Sequence, residues 1–241
     1  MPRAAEKPTV KVDRVPTGIE GLDEIIEGGL VRGSTYLVAG QTGTGKSIFS
    51  MQYLLHGLET GENGLYVTLE QTVDEILSDM SKFGWEEKLR KYMQEGKLAI
   101  VSTIPTSIKD IQELILTHAK RIGAKRLVLD SLSVATVSWK ISSMDIGKVR
   151  GEIFDLMRSL ETTGLTSILI TEIPEGELKK LSRFGFEEFI ADGVIILHYL
   201  EYAAGGTPRS LIVRKMRRTN HGTDIYPIEI TKNGLVVKKA I

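Results

Sequence analysis

The chain has 241 residues, no cysteine, and 31 lysines plus arginines balanced by 31 aspartates plus glutamates. That balance excludes an overall attraction to nucleic acid or anionic membrane, and the missing thiols exclude disulfides, cysteine nucleophiles and Cys-based metal sites. Length and a hydrophobic content of 41% suit one α/β domain with small additions, and no apolar stretch reaches the ~20 residues that span a bilayer.

Residues 1–12 are polar and mildly basic (Arg3, Lys7, Lys11) and read as a flexible arm, which leaves 13–241 as one folded domain. The apolar run Tyr36-Leu37-Val38-Ala39 predicts a strand. Gly40-Gln41-Thr42-Gly43-Thr44-Gly45-Lys46-Ser47 follows it as G-x-x-x-x-G-K-S, and the next segment predicts a helix that buries Phe49, Met51, Leu54, Leu55 and Leu58. A phosphate-binding loop requires this strand–loop–helix setting. The glycines let the backbone curl so that successive N–H groups point at a phosphate. Lys46 reaches the β- and γ-phosphates, Ser47 ligates Mg²⁺, and the helix N-terminus adds its positive end. Glycine order rules out a Rossmann dinucleotide loop, because Ile48 stands where that motif needs its third small residue. The segment predicts a nucleoside triphosphate ligand.

Leu65-Tyr66-Val67-Thr68-Leu69-Glu70 reads as a buried strand ending on an acid, followed by a Thr72/Glu75 capping box and a helix with Ile76, Met80 and Phe83 on one face. Leu98 to Val101 predicts another strand. Ser107 then caps a helix whose apolar face is Ile108, Ile111, Ile115 and Ile122. Arg126 to Asp130 is a third buried strand. Ile146, Val149, Ile153, Leu156 and Leu160 mark a long helix, and Ser167 to Thr171 and Gly193 to Leu197 are further strands. Short β-runs over Ser210–Val213, Ile225–Ile230 and Leu235–Val237, with a turn at Asn233-Gly234, complete the chain. Alternating strands and helices with a β-rich tail predict an α/β fold: a mainly parallel sheet covered by helices, with C-terminal β-hairpins.

Two acids complete the predicted site. Asp130, at a strand end beside the loop, suits Mg²⁺ binding behind Ser47; Glu70 is the natural base for a water in line with the γ-phosphate. The histidines show no metal-ligand spacing, and His56, His118 and His198 read as ordinary helix or strand residues. Residues 203–221 carry Arg209, Arg214, Lys215, Arg217 and Arg218 and no acid. From spacing alone this segment is a nucleic-acid patch, a set of fingers for a neighbouring subunit's γ-phosphate, or a charged sheet edge.

From about Val15 to Val237 the chain resembles the KaiC-type ATPases, a branch of the RecA/RadA superfamily. The resemblance rests on Thr17-Gly18-Ile19-Glu20-Gly21-Leu22-Asp23 with Gly28-Gly29-Leu30 and Gly33, on Phe83-Gly84-Trp85, and on Ile170-Thr171-Glu172. It continues through Arg183-Phe184-Gly185-Phe186-Glu187-Glu188-Phe189-Ile190-Ala191-Asp192 and Lys215-Met216-Arg217-Arg218-Thr219-Asn220-His221, the last similar to the family's K-x-R-x-T-x-H segment. It implies a RecA-like P-loop core, ATP and Mg²⁺ as cofactors, and a homo-oligomeric ring, usually a hexamer, with ATP at subunit boundaries. It implies that Lys215 and Arg217 contact the γ-phosphate of the adjacent subunit, with Thr219 and His221 near its ribose and base.

Two departures qualify the expectation. The family's glutamate pair is Glu70-Gln71 here, which predicts slow turnover, and Glu187-Glu188-Phe189 stands at the clock proteins' autophosphorylation region, which predicts no autokinase activity. One alternative is a RadA-like DNA-binding recombination ATPase. Against it, Ile173 to Phe189 holds three cations (Lys179, Lys180, Arg183) against four acids (Glu175, Glu177, Glu187, Glu188), net −1. A non-hydrolysing ATP-bound scaffold is the other alternative. The absence of a signal-peptide apolar region predicts a cytoplasmic protein, and three asparagines, five glutamines and abundant charge predict a thermophilic source.

Overall fold

The computed structural model describes residues 12–104, 107–135, 146–173, 180–199 and 209–240; most of the predicted arm, together with Glu175, Glu177 and Lys179, lies outside them. Two short strands, β1 (Arg14–Val15) and β2 (Leu30–Val31), pair antiparallel on either side of a one-turn helix, α1 (Leu22–Ile25). β3 (Thr35–Gly40) leads into α2 (Lys46–Glu59), β4 (Gly64–Thr68), α3 (Val73–Ser81) and α4 (Glu86–Gln94). β5 (Leu98–Ser102), α5 (Ile108–Ile122), β6 (Arg126–Asp130), α6 (Leu132–Ala135), α7 (Ile146–Thr162) and β7 (Thr166–Glu172) continue the alternation. A short α8 (Glu187–Ile190) precedes β8 (Gly193–Tyr199), and β9 (Arg209–Met216), β10 (Tyr226–Thr231) and β11 (Gly234–Val237) follow.

The main sheet runs β11-β10-β9-β8-β3-β7-β6-β4-β5. β8, β3, β7, β6, β4 and β5 are parallel, and the last three strands of the chain extend the sheet antiparallel. This is the predicted α/β architecture. Each parallel strand is buried on both faces, so its period of two divides the core instead of separating core from solvent. Tyr36, Val38, Tyr66, Val128 and Ile170 face one layer with Phe49 and Leu54 of α2, Ile76 and Met80 of α3, and Leu89 of α4. Leu37, Ala39, Val67, Leu129 and Leu169 face the other, against Ile111 and Ile115 of α5 and Val149, Ile153, Leu156 and Leu160 of α7.

Helix α2 is buried almost all round, as expected of a helix enclosed by a sheet on one side and a hairpin on the other. Its Gln52 joins it to the β10–β11 hairpin: Oε1 accepts from Leu235 N at 2.8 Å, and Nε2 donates to Leu235 O at 3.2 Å and to Gly18 O at 3.1 Å. Arg126, 1% exposed, crosses beneath the same helix. Its Nε donates to Glu62 Oε2 at 2.7 Å and its Nη1 to Tyr53 O at 2.8 Å and Pro16 O at 3.0 Å. A Cβ on Gly57 would lie 2.4 Å from the Arg126 Cδ, so glycine is what lets the guanidinium pass.

Both predicted caps are present. Thr72 and Glu75 close a reciprocal capping box, and the Ser107 side chain accepts from Asp110 N. Three expectations are corrected. The strand predicted through Glu70 stops at Thr68, where the Thr68 side chain accepts the Gln71 N–H at 3.1 Å and turns the chain, so Glu70 lies in a bend past the strand end. Phe83 falls beyond the end of α3, though it still packs against the core that holds Ile76 and Met80, and its ring lies tilted on Trp85 with centroids 4.9 Å apart. Ile146 begins α7 but is 62% exposed, outside the apolar stripe that starts at Val149. Among the described residues no helix is long and apolar enough to cross a membrane.

Candidate nucleotide site

The loop from Gly40 to Ser47 joins the C-terminal end of β3 to the N-terminus of α2, the edge of a parallel sheet where ligands bind. Gly43 (φ 77°) and Gly45 (φ 105°) occupy the left-handed region, which bends the loop back on itself. A side chain at Gly40 is excluded, since its Cβ would lie 2.5 Å from Leu197 O. Thr44 is buried and donates to Gln41 O at 2.8 Å, while Thr42 is exposed at the loop tip. Gly45 caps α2 without a side-chain bond, so the first-turn N–H groups of the helix remain available to an anion.

Lys46 folds over this loop, donating to Gly40 O at 3.0 Å and Gln41 O at 2.8 Å. Burial lowers its pKa, an effect partly opposed by the negative charges of Glu172, Asp130 and Glu70. Those three acids stand at the ends of adjacent parallel strands or just past them. Asp130 closes β6 opposite Thr68 of β4, and Glu172 closes β7 opposite Gly40 itself.

Asp130 Oδ2 accepts from Ser47 Oγ at 3.1 Å and from the Tyr66 hydroxyl at 2.5 Å. Burial pushes the Asp130 pKa up, against the pull of both hydroxyls and of Lys46. Burial and the adjacent Asp130 charge push Tyr66 well above its ordinary value. Glu70 accepts from Ser131 Oγ at 3.0 Å, and burial raises its pKa also. Gln71 turns away and donates to Asp79 at 3.2 Å, so it takes no part in the cluster. Ser47 and Asp130 fit a hard cation: the donors are oxygens, and one carboxylate and one hydroxyl beside a phosphate loop leave room for phosphate oxygens and water. Together, a charged lysine, a hydroxyl–carboxylate pair and an oriented glutamate can bind a triphosphate with its cation and activate a water beside it.

The other predicted residues lie elsewhere. Lys215 pairs with Val194 in β8, three residues towards the strand start from Leu197, the register partner of Gly40. Its ammonium donates to the carbonyls of Ala191 (2.6 Å), Glu188 (2.9 Å) and Phe189 (3.3 Å), the last turn of α8 and the residue after it. Arg217 reaches Asp192 Oδ1 at 3.4 Å. Thr219 accepts from Arg14 Nη1 at 2.9 Å, and the His221 ring contacts Gly222 O at 2.8 Å. These four residues are at the opposite end of the sheet from the loop of their own chain. The basic residue that does reach that loop is Arg209, whose Nε donates to Gly43 O at 3.2 Å and whose guanidinium lies over the Tyr199 ring.

Sequence reasoning missed Tyr66, Ser131, Glu172 and Arg209 as site residues. Glu172 was open to the strand-end argument that found Asp130. Tyr66 carried no such signal, because a tyrosine inside an apolar strand reads as core.

The fold and loop define a P-loop nucleotide-binding protein with a RecA-like core. The sequence profile described as "ATPase: KaiC" matches residues 15–240. A UPF0273 protein of Pyrococcus furiosus is 37% identical, with 94% of each chain covered. The circadian clock oscillator protein KaiC of Prochlorococcus marinus is 32% identical over 95% of this chain, but the match spans only 45% of that longer protein. A crystal structure of a KaiC-like protein from Pyrococcus horikoshii superposes with a TM-score of 0.83 at 41% identity, covering 95% of this chain and all of that one. This chain belongs to the KaiC family of ATPases.

Proposed function

We propose that residues 13–241 form one Mg²⁺-dependent ATPase domain that assembles into a ring, a hexamer by family resemblance, and couples its ATP state to conformational change or partner binding. The observation that carries this reading is the convergence of Lys46, the Ser47–Asp130 pair and the Ser131–Glu70 pair on one loop. The N–H groups of the loop and Lys46 hold the β- and γ-phosphates. Ser47, with Asp130 behind it, would hold Mg²⁺, which supplies charge neutralisation across the phosphate oxygens. Glu70, fixed by Ser131, accepts the proton of a water as its oxygen bonds to the γ-phosphorus and the bond to the ADP oxygen breaks. Burial favours this step, since it raises the proton affinity of the carboxylate.

Lys215 and Arg217 act on a neighbour's γ-phosphate in this reading, with Thr219 and His221 near its ribose and base. Its support is their distance from their own loop: the three-residue offset along β8 amounts to ~10 Å, and Lys215 points further away still. The Gln71 position supports slow turnover, with a single acid of the family's pair facing the site. Glu188-Phe189 leaves no hydroxyl for self-phosphorylation there.

The test is ATP binding and hydrolysis by the purified chain. Lys46→Ala abolishes tight ATP binding. Glu70→Gln retains it and loses turnover by ~10²-fold, the usual contribution of a positioned base. Unchanged turnover in Glu70→Gln removes that residue from the mechanism, and no turnover in the wild type leaves the ATP-bound scaffold. Strong stimulation by single-stranded DNA moves the assignment to the RadA-like alternative.

A further inference from the structure

We propose that Tyr66 is a positioning residue for the cation side of this site: its hydroxyl fixes the Asp130 carboxylate and, through it, the Ser47 hydroxyl. The inference rests on reading the loop as an Mg²⁺–nucleotide site. Tyr66 lies in the middle of β4, 1% exposed, with its ring among apolar side chains of the α2-side core. Phenylalanine would fill that place as well, and a phenolic hydroxyl buried without a partner is unfavourable. Here the hydroxyl ends 2.5 Å from Asp130 Oδ2.

The same oxygen accepts from Ser47 at 3.1 Å, so two hydroxyls from different elements, β4 and α2, converge on one carboxylate oxygen at the end of β6. The geometry has two consequences. The carboxylate cannot rotate about its last torsion without breaking both bonds, so the Ser47 oxygen is held at a fixed place at the start of α2. Among the described residues no hydrogen bond to Oδ1 is seen, so that oxygen would be free to accept from water on a bound cation. Outer partners of this kind govern metal affinity because they set the direction of the atoms that touch the metal. β4 pairs directly with β6, Thr68 opposite Asp130, so Tyr66 is presented by a rigid strand.

The experiment compares the full chain with Tyr66→Phe, Asp130→Asn and the double variant. Mn²⁺ binding in the presence of saturating ADP is measured by electron paramagnetic resonance, and thermal unfolding is followed in chelator. Tyr66→Phe is expected to raise the half-saturating Mn²⁺ concentration about tenfold, the scale seen when an outer partner of a metal site is removed. Its unfolding midpoint in chelator is expected to fall, since a buried carboxylate loses one donor, so Mn²⁺ binding is compared at a temperature where both proteins are fully folded and a shift there is not a loss of fold. Adding Tyr66→Phe to Asp130→Asn should change Mn²⁺ binding little, because the hydroxyl acts through that carboxylate.

An unshifted Mn²⁺ curve in Tyr66→Phe, or full additivity in the double variant, overturns the proposal. A wild type that binds ADP without binding Mn²⁺ is a different failure, that of the Mg²⁺–nucleotide reading itself. If Tyr66→Phe does not fold, a ¹³C-tyrosine spectrum of the wild-type ADP complex decides: Mn²⁺ should broaden a buried ring, and no broadening overturns the proposal.

Discussion

Arg126 heads the fully buried side chains by volume, and its charge is stabilised by one carboxylate, two backbone carbonyls and the face of Tyr53 at 4.6 Å. Removing one partner of a buried pair strands the other, so Arg126→Ala should lower unfolding free energy by about 3–5 kcal/mol in neutral solution, measured by chemical denaturation. Burial pushes its partner Glu62 up, but hydrogen bonds and charge from Arg126 and Arg32 outweigh that, and the net pKa is below the ordinary 4.5. A folded-state pKa below the unfolded one adds stability that is present in full above pH 4.5 and is lost as pH falls through the folded value. The gap between wild type and Arg126→Ala should therefore narrow in acid. An equal gap at neutral and acid pH would show that Glu62 is not what the arginine stabilises.

At the scale of elements, legibility followed burial. β3, β4, β6, β7 and β8 are covered on both faces, so they appear as uninterrupted apolar runs bounded by polar residues, and their places were readable. α5 and α7 have one apolar stripe each and were equally clear, with Ser107 marking the start of α5. α4 was not legible because Glu86 to Gln94 buries a single residue, Leu89. β1 and β2 are two residues long, too short for any period to show. The site divides along the same line. Lys46 and Ser47 are fixed by spacing within one loop, and Asp130 and Glu172 each carry the local signal of an acid at a strand end, whereas the meeting of Tyr66 with Asp130 depends on register between β4 and β6, which no local pattern encodes.

At the scale of the whole molecule, the proposed active site is divided between two ends of the sheet. Lys215→Ala and Glu70→Gln should each hydrolyse ATP poorly, and mixing the two should restore part of the activity if each interface takes its loop from one subunit and its finger from the next. Failure to complement while subunits demonstrably exchange would mean that the site lies within one chain or needs concerted action of the whole ring, and hydrolysis by a chain that stays monomeric with ATP would place the whole site within one subunit. Beyond β3 and α2, which the loop joins, the C-terminal hairpin also lies against it. A Cβ on Gly45 would lie 3.3 Å from Ile230 Cδ1 and 3.6 Å from Leu235 Cδ1, and one on Gly234 would lie 2.4 Å from Gln52 Oε1 and 2.8 Å from the Trp85 indole, so the hairpin comes close to both the loop and Trp85. Trp85 is one of two tryptophans in the chain and is 7% exposed. The protein thus carries an optical reporter wired to its phosphate loop: ATP should change indole emission in the wild type and in Glu70→Gln, and Trp85→Phe should abolish the change without preventing ATP binding.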